Sequence, residues 1–309
     1  MKNTLSRRQM LKLAGYSGLA ATLPFADFLN QDKTMLTRRI LSSADEMLPV
    51  VGLGTWIQFD VGASETERQP LMEVLKSMAE HSGKVIDSSP MYGNSEEVVG
   101  DLTTATALAD KFFYATKVWT NGEQEGIQQM QTSLRKMRRT KMDLMQIHNL
   151  VDWQNHLKTL KKWKEEGKIR YIGITHYTVS AHEQLEKIVK TEKIDFAQFN
   201  YSIRVRNAEN SLLKTAQDNG VSVIINEPFE KGSLFSAVKG KTLPDWAADY
   251  DIKSWAQFFL KYILSNTAVT CVIPGTSNPK HLADNMGAGY GKLPDEAGRK
   301  KILEYISKL

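Results

Sequence analysis

The chain has 309 residues, 41% of them hydrophobic and 24% charged, which is the size of one large α/β domain or two average ones with an ordinary globular composition. Its formal net charge of +5 is uneven: Lys2, Arg7, Arg8 and Lys12 against Asp27 put +3 into the first thirty residues and leave +2 for the rest. A body so close to neutral presents no general basic surface, so nucleic acid is not an implied partner.

The chain opens with Ser6-Arg-Arg-Gln-Met-Leu-Lys12, followed by an uncharged run from Leu13 to Phe25. A charged start ahead of a short apolar core reads as a secretion signal, and the thirteen residues of that core are too few to span a bilayer. The string resembles the twin-arginine signal, with Met10 where Phe is commonest. The resemblance implies that residues 1–30 are an address read by the twin-arginine export machinery, with cleavage near Ala26 or none. The expected destination is periplasmic or otherwise exported. The alternative is a basic amphipathic terminus on a cytoplasmic protein. No membrane span is expected in the mature chain.

From Met35 to Pro49 the pattern is a short hairpin turning near Ser43–Asp45. Pro49-Val-Val-Gly-Leu-Gly-Thr-Trp56 then reads as an apolar strand. Its glycines are not a dinucleotide-fold fingerprint, because G-x-G-x-x-G needs glycine at 57 and the residue is Ile57. With Val50–Gly54 as strand one, the others are expected at Lys84–Asp87, Phe112–Lys117, Met142–His148, Ile169–Ile174, Asp195–Asn200, Val221–Asn226 and Thr270–Ile273. Helical stretches such as Thr66–His81 and Trp153–Glu166 lie between them, and Pro294–Leu309 reads as a last helix. Alternating strands and helices imply a parallel sheet, and eight such units fit a (β/α)8 TIM barrel over residues 35–309. The single cysteine, Cys271, lies in the last strand; it excludes an internal disulfide, reads as a small core residue, and belongs to no metal-ligand spacing.

Barrel active sites lie at the C-terminal ends of the strands. Asp87, Lys117 and His148 end strands two, three and four, and Tyr92 follows strand two, so the four are expected to meet at one mouth. A tyrosine with an ordinary pKa of about 10 donates a proton readily only when its phenolate is stabilised. A nearby lysine does that, and an aspartate holds the lysine. Taken singly, each of these residues also has a plain structural reading as packing or as a satisfied hydrogen-bonder.

Together they resemble the Asp-Tyr-Lys-His tetrad of the aldo-keto reductases, in order and with similar spacing, and Asp87-x-x-x-x-Tyr92-Gly-x-Ser-Glu96 matches that family's string. The resemblance runs from about Leu36 to Asn285. It implies a hairpin closing the barrel floor and reduction of an aldehyde or ketone by NAD(P)H, or the reverse. Tyr92 would be the proton donor, Lys117 with Asp87 would lower its pKa, and neutral His148 would orient the carbonyl of a small-molecule substrate. Two other readings stay open: a nicotinamide-sensing barrel with little turnover, and a glycosidase, for which Asp87 has only Glu227 as an acidic partner.

The same resemblance implies a cofactor site. Gly54 and Thr55 end strand one. Thr175 and His176 stand where Ser and Asn usually hold the nicotinamide carboxamide, with Gln198 completing the contact; His176 also has a plain reading as a loop residue. Asn226 replaces an aromatic platform, and Phe229 is a candidate substitute. Thr276, Asp284 and Asn285 fit the adenosine-phosphate segment; Gly275 stands for a common Lys and His281 for a common Arg, with Lys280 beside it as a substitute point charge. A histidine is only partly charged near neutral pH, so NADP(H) is expected modestly over NAD(H). Trp56, Trp119 and Tyr201 follow strands one, three and six as walls of a substrate pocket or as barrel packing.

Overall fold

The structure, a computed structural model, describes residues 34–308; the export-signal reading falls outside them. Two short antiparallel strands, β1 (Thr37–Arg39) and β2 (Met47–Pro49), form the expected hairpin. Eight parallel strands follow: β3 (Leu53–Gly54), β4 (Val85–Asp87), β5 (Phe113–Val118), β6 (Met142–His148), β7 (Ile169–Thr175), β8 (Phe196–Asn200), β9 (Ser222–Asn226) and β10 (Val269–Val272). They pair in sequence order, and single bridges from Val51 to Val272 and from Gly54 to Gly275 close the ring. This is a (β/α)8 TIM barrel.

The strands form because their residues are buried on both faces. All six residues of β5 are buried, one face against the lumen and the other against helices, which is why the run is nearly continuous in apolar residues. The helices show the complementary pattern. In α1 (Glu65–Glu80), Leu71, Val74, Leu75 and Met78 recur at helical spacing and are buried, while the opposite face is polar. Five further helices that matter below are α2 (Ser95–Ala105), α3 (Glu123–Lys136), α4 (Trp153–Glu165), α5 (His182–Thr191) and α6 (Leu212–Asp218). Four more complete the α-helices of the described residues: α7 (Ser233–Ala237), α8 (Trp255–Leu264), α9 (Pro279–Gly287) and α10 (Glu296–Ile306). No helix among the described residues is long and apolar enough to cross a membrane.

The lumen is filled from below. Ile40 and Leu48 of the hairpin join Val85, Phe113, Leu144, Tyr171, Phe196, Ile224 and Cys271 in one buried cluster, so the hairpin plugs the floor. Arg38 fixes it there by donating to the carbonyls of Leu264, Asn266 and Val269, where the chain passes from α8 into β10. Above this apolar layer the same strands turn polar. Side chains two apart on a strand share a face, so Leu144 in the floor is followed upward by Gln146 and His148, and Phe113 by Ala115 and Lys117. That change from apolar to polar places chemistry at the C-terminal mouth.

Candidate active site

Asp87 is the hub of the mouth. It is 2% exposed. One carboxylate oxygen accepts from Lys117 Nζ at 2.6 Å, and the other accepts from Gln146 Nε2 at 2.8 Å and Gln198 Nε2 at 2.9 Å. Lys117, fully enclosed, also donates to the Ser88 carbonyl at 2.6 Å. Gln146 can cross the lumen because its neighbour on β7 is Gly173; a Cβ there would lie 2.8 Å from Gln146 Cγ. Burial alone would lower the Lys117 pKa, but Asp87 and Tyr92 raise it more, and the ammonium stays charged.

Tyr92 is held over this pair by the residues of its own motif. Its ring lies with Lys117 Nζ 5.0 Å from the centroid. Gly93 turns the chain with a φ of 57°, and a Cβ at that position would collide with the Asp60 carboxylate. That carboxylate accepts from the Asn94 amide at 2.9 Å and fastens the Tyr92 loop to the segment after β3. Ser95 Oγ donates to the Thr55 carbonyl at 3.4 Å, and buried Glu96 accepts from Thr116 on β5 at 2.6 Å. The string Tyr-Gly-x-Ser-Glu is therefore a set of ties that aim one phenol. Burial raises the Tyr92 pKa above its ordinary 10.0, and Lys117 offsets this only in part. Lys117 acts in the expected direction, and desolvation outweighs it.

His148 stands edge-on to Tyr92, with ring centroids 5.7 Å apart. Its Nδ1 is 2.9 Å from Ser89 Oγ. Burial, then the charge of Lys117, push its pKa down to about 2, so the ring is neutral across the physiological range. On the other side of His148 lies Trp119, 6.3 Å away between centroids and 41% exposed. Trp119 is rigidly set: Gln129 of α3 bonds both its amide and its carbonyl, and His156 Nε2 of α4 bonds the Thr120 carbonyl at 2.7 Å. Trp56 is exposed at the same mouth, and Lys231 Nζ lies 5.7 Å from its ring and 5.5 Å from that of Tyr177.

Tyr201 lies elsewhere. It is fully buried, and its hydroxyl donates to Glu209 at 2.5 Å and accepts from Arg299 at 3.0 Å. It ties the chain just after β8 to the C-terminal helix through Arg299. Counting by two from Gln198, which faces the lumen, puts Phe199 and Tyr201 on the outer face. The Phe229 ring packs against Phe235 and Phe259 at centroid distances of 4.8 and 6.5 Å.

The remaining predicted residues fall into two groups. Thr175 Oγ1, Gln198 and Asn226 meet above Asp87: Thr175 donates to Gln198 Oε1 at 3.2 Å and Asn226 Nδ2 at 3.3 Å. Asn226 Oδ1 is buried with no hydrogen-bond partner among the described residues. A carboxamide, which both donates and accepts, fits such an orphaned acceptor. His176 accepts at Nδ1 from the Thr178 amide at 3.2 Å and stacks on Tyr177. Thr55 is fully buried, with its hydroxyl 3.0 Å from both the Asp87 carbonyl and Ser88 Oγ. Gly54 and Gly275 bring bare backbones side by side, and a Cβ on Gly275 would sit 3.1 Å from the Gly54 carbonyl. Lys280 and His281 are exposed on the first turn of α9, Thr276 and Asn285 are buried beside them, and Asp284 accepts from Gln257 of α8 at 2.8 Å. Ser89, Gln146, Tyr177 and Lys231 are absent from the sequence reading; only Gln146 had a signal, its place two residues before His148 on one strand face.

A parallel eight-stranded barrel with polar side chains at its mouth serves many chemistries, so the class is decided by kinship. The sequence profile of the Aldo/keto reductase family matches residues 50–300, and the chain belongs to that family. The methylglyoxal reductase YeaE of Escherichia coli (strain K12) is 27% identical over 258 residues, spanning 81% of this chain and 89% of its own. The NADH-specific methylglyoxal reductase of the same organism is 23% identical over 314 residues, spanning 82% and 94%. An aldo/keto reductase from Klebsiella pneumoniae, solved with NADP and acetate, superposes with a TM-score of 0.72 at 22% identity, over 84% of this chain and 92% of that one. The chain is thus an NAD(P)-dependent oxidoreductase.

Proposed function

We propose that the chain reduces an aldehyde or ketone to an alcohol, or runs the reverse, with Tyr92 as the proton donor. The observation that carries the reading is the buried Asp87–Lys117 pair beneath the Tyr92 phenol. When bound, the nicotinamide supplies the hydride. Tyr92 gives its proton to the carbonyl oxygen as negative charge builds there. Lys117 stabilises the phenolate left behind, Asp87 keeps Lys117 charged, and His148 donates a hydrogen bond that aims the carbonyl. Thr175, Gln198, Asn226 and His176 would hold the carboxamide, with Gly54 and Thr55 beside them. Trp56 and Trp119 would wall the substrate. The glycosidase reading has no support, since all three donors around Asp87 occupy its carboxylate and Glu227 is paired with Lys231 at 3.4 Å. Methylglyoxal, named for both Escherichia coli relatives above, is the first substrate to assay, followed by aromatic aldehydes suited to the tryptophan walls.

At the far end of the cofactor, Thr276, Asp284 and Asn285 would take the adenosine, and Lys280 and His281 a 2′-phosphate at the positive end of α9. Without a bidentate arginine the discrimination is modest. A fluorescence titration is expected to give tighter binding of NADPH than of NADH by severalfold, with micromolar NADPH affinity, roughly −8 kcal/mol. NADH binding as tightly or more tightly would reverse the assignment.

We also propose that residues 1–30 direct the folded chain to the twin-arginine machinery, on the strength of Ser6-Arg-Arg-Gln-Met-Leu-Lys12 and the apolar run behind it. Replacing Arg7 and Arg8 together by lysine is expected to keep the protein in the cytoplasmic fraction of a bacterial host. An unchanged distribution would remove the export reading.

A further inference from the structure

We propose that Ser89 is a positioning residue that fixes the tautomer of His148 and couples that ring to the Tyr92 loop. This rests on the carbonyl-reductase reading. Ser89 is fully buried. Two groups contact its hydroxyl: His148 Nδ1 at 2.9 Å and the Met91 amide at 3.3 Å. The Met91 N–H can only donate, so the serine oxygen is its acceptor. The single serine proton then has one acceptor within reach, His148 Nδ1. The opposite arrangement, with Nδ1–H donating to Ser89, would leave the serine proton unsatisfied in a site closed to solvent, which is unfavourable. Nδ1 is therefore the accepting nitrogen, and Nε2 carries the hydrogen. A neutral imidazole has only one N–H, and Ser89 assigns it to the nitrogen away from itself. A carbonyl oxygen in the mouth needs that donor.

Ser89 also acts through its backbone. Its carbonyl accepts from the Tyr92 amide at 3.0 Å. One residue thus holds the loop that carries the phenol and the ring that would orient the carbonyl, and the two aromatic rings meet edge to face. Alanine at this position keeps the backbone tie to Tyr92 and loses both hydroxyl contacts, to His148 and to the Met91 amide. The histidine signals, read beside kcat, separate the tautomer effect from a change in the loop.

The test uses the full chain labelled with ¹⁵N-histidine, with two-bond ¹H–¹⁵N correlations to read each ring, and His148→Gln to identify the signals of His148. In the unsubstituted protein His148 is expected to show Nε2–H and a bare, hydrogen-bonded Nδ1. In Ser89→Ala the Nδ1 signal is expected to shift, with Nδ1–H appearing as a second tautomer. The same variant is expected to lose about tenfold in kcat, the worth of one aligned hydrogen bond, with cofactor affinity unchanged. Ser89→Thr keeps the hydroxyl and is expected to keep the original tautomer. Nδ1–H in the unsubstituted protein, or a Ser89→Ala variant with unaltered His148 signals, would overturn the assignment. A changed tautomer with unchanged kcat would overturn its role in positioning the carbonyl. If the unsubstituted enzyme turns over no carbonyl compound, the reductase reading fails, while the histidine signals still decide what Ser89 does to the ring.

Discussion

Tyr92→Phe is expected to lower carbonyl reduction by about 10²–10⁴-fold in kcat, the span of general acid catalysis, and to leave cofactor binding intact. The ring is retained, so its edge contact with His148 and the packing over Lys117 survive; only the proton is removed. The pH dependence should carry the same signature. In the proposed reaction reduction needs the protonated phenol, and burial raises the Tyr92 pKa above 10.0. His148, pushed down to about 2, does not titrate near neutrality. The kcat for reduction is therefore expected to be flat from about pH 5 to 9 and to decline only as the phenol ionises at higher pH. A limb near pH 6.5 would contradict the neutral histidine, and a Phe variant as active as the parent would remove Tyr92 from the chemistry.

Much of this site could be read before any coordinates, for a physical reason. Strands buried on both faces leave mostly apolar runs, so β6 is read at Met142–His148 with the limits it has in the structure, and the other strands fall within a few residues. The polar residue at or one short of the end of each run is then conspicuous, which is how Asp87, Lys117 and His148 stand out. What sequence did not reveal depends on partners distant along the chain. Phe229 looked free to stack, and its engagement with Phe259 of α8 has no local sign. Ser89 sits in a loop where no periodicity operates, and its meaning comes from a histidine 59 residues away. Of the two readings of Tyr201, its burial favours barrel packing, and the rule that separates them was available: the period of two continues past the last strand residue.

The network also explains why Asp87 should be the least replaceable residue for both stability and activity. Asp87→Asn preserves shape but puts an NH₂ where one carboxylate oxygen accepts, facing either Lys117 Nζ or the amides of Gln146 and Gln198. Donor then meets donor, and the Lys117 ammonium remains buried without its counter-charge. Breaking one partner of a buried ion pair costs about 3–5 kcal/mol. Urea unfolding of Asp87→Asn is expected to show a loss in that range, with turnover falling together with the phenolate stabilisation that Lys117 provides. Lys117→Met removes the stranded charge, so the double variant is expected to be more stable than Asp87→Asn alone and still inactive. The coupling in that cycle isolates the pair. If the two losses of stability simply added, the Asp87–Lys117 contact would not be the interaction that holds the mouth together. If the double variant regained turnover, the cation beneath Tyr92 would have no part in the reaction.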